Sequence, residues 1–277
     1  MNQPIVITGA GGRLGRALCT LPGCVGLTRR ALDIADAAAV AAELSALRPR
    51  AVINAAAMAN VDACETDWTA ALRANADGPT VLALACAALG VPFVHVSTDY
   101  VFGAEGHARA RREGDPPAPV NAYGQSKLLG EQGVAGAGGV AVVVRTAWLF
   151  GFPGDFLDRM IQRAEAKGVV QVTEQVGTPT PVRGLALALR SIAGALLEGA
   201  ALPPVLHVAG APVCSRAEWV ETCLAARRDL AAVAVERVSL GAFAQDAAAR
   251  PLGTPLDTSL YQCLFSQALD WRLALSG

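Results

Sequence analysis

The chain has 277 residues, 53% apolar and 17% charged, with a net charge of −1. That is enough for one large domain, or a domain plus a lobe, with a sizeable core. The balanced charge gives no electrostatic case for nucleic acid or an anionic membrane as partner.

In chain order, the first expected strand, 4–8, carries the apolar run Ile5-Val6-Ile7. It enters the glycine turn TGAGGRLG, Thr8 to Gly15, and then a helical pattern over 13–21. Strand, glycine turn, helix is the context of a dinucleotide-binding fingerprint. Gly9 permits the tight turn, Gly12 lets the backbone approach a pyrophosphate, and Gly15 lets helix and strand lie close. The backbone N–H groups of Arg13 and Leu14, at the helix start, are candidate phosphate donors. A second strand, 24–28, leads to Arg29 and Arg30, where such a fold reads the ribose. Arg at that place accommodates a 2′-phosphate, which favours NADPH, with NADH possible. Asp36 is placed to cap a helix over 36–47. A third strand, 51–55, runs into NAAA, whose small residues Ala55, Ala56 and Ala57 let backbone lie near a cofactor. One long helix is expected over 66–89.

The fourth strand, 92–97, ends in Ser97, Thr98 and Asp99, at the carboxyl end where open α/β sheets bind ligands. Thr98 is placed to hydrogen-bond a substrate oxygen. The Gly-, Pro- and charge-rich stretch from Gly103 to Val120 reads as an active-site loop, with Arg109, Arg111 and Arg112 on a solvated face. A helix over 121–136 then carries Tyr123 and Lys127. The chain has only two lysines and three tyrosines, so a chance Tyr-x-x-x-Lys pair is rare. Residues four apart share a helix face. An ammonium beside the phenol is expected to lower its pKa toward neutrality, making Tyr123 a candidate general acid or base. A fifth strand, 140–145, completes a β-α-β-α rhythm. The fold class is α/β, a Rossmann-type doubly wound parallel sheet.

After about residue 150, prolines and glycines interrupt the apolar runs, as in a smaller C-terminal lobe. The seven cysteines are scattered with no C-x-x-C pair, and with three histidines they offer no zinc spacing. Reduced thiols in a cytoplasm, no metal, no signal peptide and no membrane span are the expectations.

The segments TGAGGRLG, STDYVFG, NAYGQSKLLGE, RTAW, QVGTPT and RPLGTPLD together resemble the extended short-chain dehydrogenase/reductase superfamily, and within it the dTDP-4-dehydrorhamnose reductase family. The resemblance covers nearly the whole chain. It implies NADPH-dependent reduction of the C4 ketone of a nucleoside-diphospho-4-keto-6-deoxy sugar. Thr98, Tyr123 and Lys127 would be catalytic, with the latter two also touching the cofactor. Asp33 and Ile34 would contact adenine, and Asn75 would support the active-site helix beside the cofactor. Val61, Tyr100 and Trp148 would line the sugar pocket. Arg250 is placed to clamp the diphosphate, since Arg pairs bidentately with phosphate oxygens. The resemblance implies a nucleotide-binding domain over 1–150 to which 182–210 returns. A substrate lobe would comprise 151–181 and 211–277, in a monomer or homodimer.

Two departures matter. Gly154-Asp155-Phe156 stands where relatives carry Asn-Asn-Phe, which touches the sugar or diphosphate contacts. Ala17 stands where some relatives carry a Glu for a magnesium-linked dimer. Two other readings stay open: a non-catalytic subunit resembling the β subunit of methionine adenosyltransferase, and an NAD-dependent sugar-nucleotide epimerase.

Overall fold

A computed structural model of the chain describes residues 3–103, 109–243 and 248–275. Six parallel strands form the central sheet: β1 (Ile5–Thr8), β2 (Cys24–Leu27), β3 (Ala51–Asn54), β4 (Phe93–Thr98), β5 (Ala141–Thr146) and β6 (Val205–His207). Their spatial order is β6-β5-β4-β3-β1-β2. The order reverses between β1 and β3, and ligands of such sheets bind outside the carboxyl ends at that switch.

Successive side chains of a strand point to opposite faces, and the two faces carry separate cores. Val6, Val52, Phe93 and Val143 pack on one side, with Val40, Leu44 and Leu82. These last come from α2 (Ala37–Leu47) and α5 (Gly78–Leu89). Ile5, Ile7, Ile53, Val94 and Val142 pack on the other side, with Leu14 and Leu18 of α1 (Arg13–Cys19) and Leu185 and Leu189 of α8 (Val182–Leu197). Both faces being covered explains why the strands read as continuous apolar runs. Asp36 caps α2, accepting from the Ala39 N–H at 3.0 Å.

The helix expected over 66–89 runs from Trp68 to Leu89 with one irregular turn in it. Asp67 interrupts the chain after α3 (Val61–Thr66) and caps α4 (Trp68–Leu72), accepting from the Ala70 N–H at 2.9 Å. Between α4 and α5 lies one wide π-turn, Arg73–Asp77. Such a turn inserts an extra residue and re-aims a side chain; here it carries Asn75.

α6 (Ala122–Gly136) lies over the β4–β5 side of the sheet. Asn121 caps it, accepting from the Gly124 N–H at 2.8 Å, while its amide donates to the Ala249 carbonyl at 2.8 Å.

Beyond β5, apart from β6, the strands pair two by two outside the main sheet. Val169–Thr173 runs parallel to Ala234–Val238, and Val176–Gly177 runs antiparallel to Cys214–Ser215. α7 (Phe156–Lys167) and α9 (Arg216–Ala225) pack on this part through Met160, Val172, Val220 and Leu224. α10 (Ser259–Phe265) brings Tyr261 back to the main core. No helix among the described residues is long and apolar enough to cross a membrane.

Candidate active site

At the switch point a cavity of about 340 Å³ opens beyond β1 and β3. Gly9, Gly11 and Gly12 form one wall, Ala55, Ala56 and Ala57 a second, and Arg29, Asp33 and Ile34 a third. Gly9 has φ +72°, and a Cβ there would lie 2.5 Å from the Ala56 nitrogen. Only glycine therefore closes this turn against the next strand. A Cβ on Gly11 would meet nothing nearer than Thr28 Cγ2 at 3.9 Å, so it would project into open space at the turn.

Of the residues expected at the cofactor, Arg13, Leu14, Gly15, Asn75, Tyr123 and Lys127 lie outside the cavity lining. Leu14 is buried in the core. The Arg13 guanidinium sits over the Phe152 ring, 4.4 Å from its centroid. Gly15 packs against the Gly9 carbonyl, where a Cβ would collide. Arg13 and Leu14 pack the start of α1 on Phe152 and the core, and Gly15 lets it lie against the turn.

Asp33 accepts from Arg73 at 2.8 Å, and this ion pair together with the Ala35 N–H holds its carboxyl below the usual range. Asn75 does not line the cavity; it bridges two elements that do the positioning. Its Oδ1 accepts from the Met58 N–H at 2.9 Å, and its Nδ2 donates to the Met58 carbonyl at 3.1 Å and Ser126 Oγ at 3.0 Å. The loop after β3 is thereby tied to α6.

Thr98, Tyr123 and Lys127 come together beside this tie. Gly124 lies so close to the Tyr100 carbonyl that a Cβ would collide, which lets α6 settle on the end of β4 and brings Tyr123 to Thr98. The Tyr123 phenol lies beside Thr98. Burial raises its pKa, the Thr98 hydroxyl acts to lower it, and neighbouring Asp99 adds to the rise. Lys127 does not lower it as the four-residue spacing suggested. Its Nζ is turned away, donating to the Val96 carbonyl at 2.7 Å and lying 3.3 Å from His95 Nε2. Burial lowers the Lys127 amine to about 8, with Glu131 opposing. Tyr123 is therefore held protonated and Lys127 close to its titration point.

Tyr100 meets Tyr123 edge to face, with centroids 5.8 Å apart. Val61 opens α3, which packs on α6. Trp148, at φ +42°, stacks on Trp219 at 5.9 Å. Arg250 pairs with Asp62 at 2.6 Å, so one face of its guanidinium joins α3 to the late RPLGTPLD segment.

Three residues that carried no signal in the sequence complete the arrangement. The Arg216 guanidinium covers the Trp148 ring at 4.2 Å and faces Asp99, Tyr100, Arg250 and Arg159. Thr254 Oγ1 donates to Asp99 Oδ2. His95 backs Lys127. Asp99 is buried, and burial raises it to about 6 against the hydrogen bonds from Thr254 and Thr98. A single histidine inside an apolar strand, or an Arg at a helix start, has no distinguishing pattern. Only the folded contacts reveal them.

The divergent segment takes a capping role, and the reading of Arg111 is corrected. Asp155, in the divergent Gly-Asp-Phe, caps α7, accepting from the Asp158 N–H at 2.8 Å and the Gly151 N–H at 2.7 Å. Arg111 is buried, not on a solvated face: its backbone N–H donates to Pro255 at 2.8 Å and its carbonyl accepts from Asp257 at 2.7 Å. Part of the expected active-site loop, 104–108, lies outside the described residues.

The RmlD substrate binding domain family matches residues 1–277. The chain belongs to this family. It is 39% identical to dTDP-4-dehydrorhamnose reductase of Mycolicibacterium smegmatis, over 99% of this chain and 84% of that protein. It is 36% identical to the reductase of that name from Burkholderia thailandensis, over 98% and 96%. Among solved structures, dTDP-4-dehydrorhamnose reductase from Bacillus anthracis in complex with NADP superposes with a TM-score of 0.89. That pair shares 30% identity over 99% of this chain and 98% of the other. The enzyme MoeE5, bound to UDP-glucose and NAD, has a TM-score of 0.78 at 22% identity and shares the fold alone.

Proposed function

We propose that this chain is an NADPH-dependent reductase of the C4 ketone of a dTDP-4-keto-6-deoxy sugar. The observation that carries the reading is Tyr123 beside Thr98 and one helical turn from Lys127, at the carboxyl edge of a sheet whose switch point holds a glycine-walled cavity. The cavity suits a dinucleotide: its glycine wall allows phosphates near the backbone, its alanine wall leaves room, and Arg29 stands at the rim for a 2′-phosphate. When bound, NADPH supplies the hydride.

The chain's own residues do the rest. Tyr123 Oη, kept protonated by burial, donates its proton to the C4 oxygen as charge develops there. Thr98 Oγ1 holds the same oxygen and fixes its direction. Lys127, one turn along α6 with its Nζ on the Val96 carbonyl, would hold the nicotinamide ribose. Tyr100, Trp148 and Val61 enclose the sugar. Arg216, with the charges of Arg250 and Arg159 acting on it, is the group for a diphosphate. In this reading 1–150 and 182–210 hold the cofactor, while 151–181 and 211–277 hold the nucleotide sugar.

The test is to supply dTDP-4-keto-6-deoxyglucose, with and without 3,5-epimerisation, and follow NADPH absorbance. Consumption with a dTDP-6-deoxy sugar as product supports the reading. Tight NADPH binding with no consumption on any 4-keto sugar nucleotide overturns it in favour of a regulatory subunit.

A further inference from the structure

Behind Lys127 lies a line of buried polar side chains that the reaction as described does not use. Thr8, Asn54 and His95 are register partners on three adjacent strands, Thr8 opposite Asn54 and Asn54 opposite His95. All three are buried, and so is Lys127. They continue, two residues along each strand, the apolar row Val6, Val52 and Phe93. Thr8 Oγ1 donates to Asn54 Oδ1 at 2.7 Å, Asn54 Nδ2 lies 3.1 Å from His95 Nδ1, and His95 Nε2 lies 3.3 Å from Lys127 Nζ. Thr8 is also the first residue of the glycine turn, so the row links the cofactor cradle to the catalytic lysine.

The proton positions follow from one backbone group. The Ala56 N–H donates to Asn54 Oδ1 at 3.0 Å, which sets the amide orientation. Asn54 Nδ2 then donates to His95 Nδ1, which must accept. A neutral imidazole carries one proton, so it resides on Nε2. Burial, with Lys127 adding to it, holds His95 well below its ordinary pKa, so the ring stays neutral. The Nε2–H therefore points at Lys127 Nζ. An amine accepts that hydrogen, whereas an ammonium has no lone pair to offer. The opposite tautomer would require turning Asn54 over and setting its NH2 against the Ala56 N–H.

We propose that His95 is a positioning residue that presents an Nε2–H donor to Lys127, so that the row from Thr8 fixes the place of the lysine and favours its uncharged form. The inference rests on the reading of Lys127 as part of the catalytic set. Glu131 on α6 is the charged group that acts the other way on Lys127, and it is itself held by Arg145 of β5 at 2.7 Å. Tyr123, one turn earlier on α6, is faced by Asp99 and Tyr100 beyond β4 and by Cys64 of α3. The outcome is a lysine that loses its proton at mildly alkaline pH, with its charge released or retained according to how firmly the row is held.

Two nuclear magnetic resonance readouts on the full chain test this without any turnover. The sequence has two lysines and three histidines, so side-chain labels give few signals. Imidazole 15N spectra of the wild type are expected to show His95 protonated on Nε2 and bare on Nδ1; a proton on Nδ1 overturns the proposal even if no variant folds. Titration of 13Cε-labelled lysine, with Lys127 told from exposed Lys167 by Lys167→Arg, is expected to place Lys127 near 8. His95→Phe keeps an aromatic ring above Phe93 and removes the donor. It should raise the Lys127 titration by roughly one unit, and move the alkaline limb of kcat/KM upward with it. An unmoved or lowered titration in His95→Phe would mean that burial alone acts on Lys127. If no ketone is reduced, the two spectra still decide the proposal, and its failure stays separate from that of the proposed reaction.

Discussion

The two halves of the molecule build their sites by opposite means. Up to β5, every polar residue that matters sits at the end of a parallel strand or on the helix that follows, and neighbouring strands bring them into rows. After β5, the groups gathered around Asp99 and Arg216 come from loops and a helix start: Trp148, Gln175, Arg216 and Thr254. Gln175 Nε2 donates to the Pro251 carbonyl at 2.7 Å and its Oε1 accepts from Arg216 Nε at 3.1 Å. A sheet places side chains by register, which sequence alternation encodes. A set of crossing loops places them by contacts between residues tens of positions apart, which it does not.

Substitutions can separate these two kinds of placement. Tyr123→Phe should have the largest effect, lowering kcat by about 10²–10⁴-fold with cofactor affinity intact, since it removes only the proton donor. Stopped-flow turnover and a fluorescence titration of NADPH measure the two terms; a variant that keeps half of kcat would end the assignment.

Arg29→Ala, in the register-built half, should erase a preference for NADPH over NADH of about 10–100-fold, the worth of one charge-assisted bond to phosphate. Equal affinity of the wild type for both cofactors would show that Arg29 does not read the 2′-phosphate. Arg216→Ala is its counterpart in the contact-built half. The expected result is a rise of about tenfold in KM for the nucleotide sugar with NADPH affinity unchanged. A matching loss of NADPH binding would instead show that the two halves are not separable.

The smallest effect concerns Asp99, where the halves meet. Its folded pKa, about 6, lies above the ordinary 3.8. The folded chain therefore holds a proton that the unfolded chain releases in this window. The stability from this group is present below about pH 4 and is lost as pH rises through 6. Thr254→Val removes a hydrogen bond that holds the pKa down, so the loss should extend to higher pH. The gap in stability between pH 5 and pH 7 should widen by about 1 kcal/mol. Thermal melts at the two values check it, and an unchanged gap would show that Thr254 does not support the Asp99 carboxylate.

The contrast also marks what the sequence makes legible. The strands of the sheet, the glycine turn and the helix carrying Tyr123 and Lys127 are readable because period, turn chemistry and capping all act locally. The π-turn within the helix over 66–89 is not, because it aims Asn75 at Met58 and Ser126, a tertiary demand. The Tyr-x-x-x-Lys spacing brings two side chains to one face, yet the lysine turns to Val96 and His95, since the backbone carbonyl and the ring are the nearer partners. Arg250 shows the same limit: its bond to Asp62 joins residues far apart in the chain and is not readable.

The most direct measurement of the account is transfer from NADPH deuterated at the nicotinamide C4, with dTDP-4-keto-6-deoxy sugar as acceptor and the product read by NMR. One deuterium at C4 of the 6-deoxy sugar, on one face only, is the predicted result. Deuterium at any other carbon, or none in a protein that binds the cofactor tightly, would contradict it.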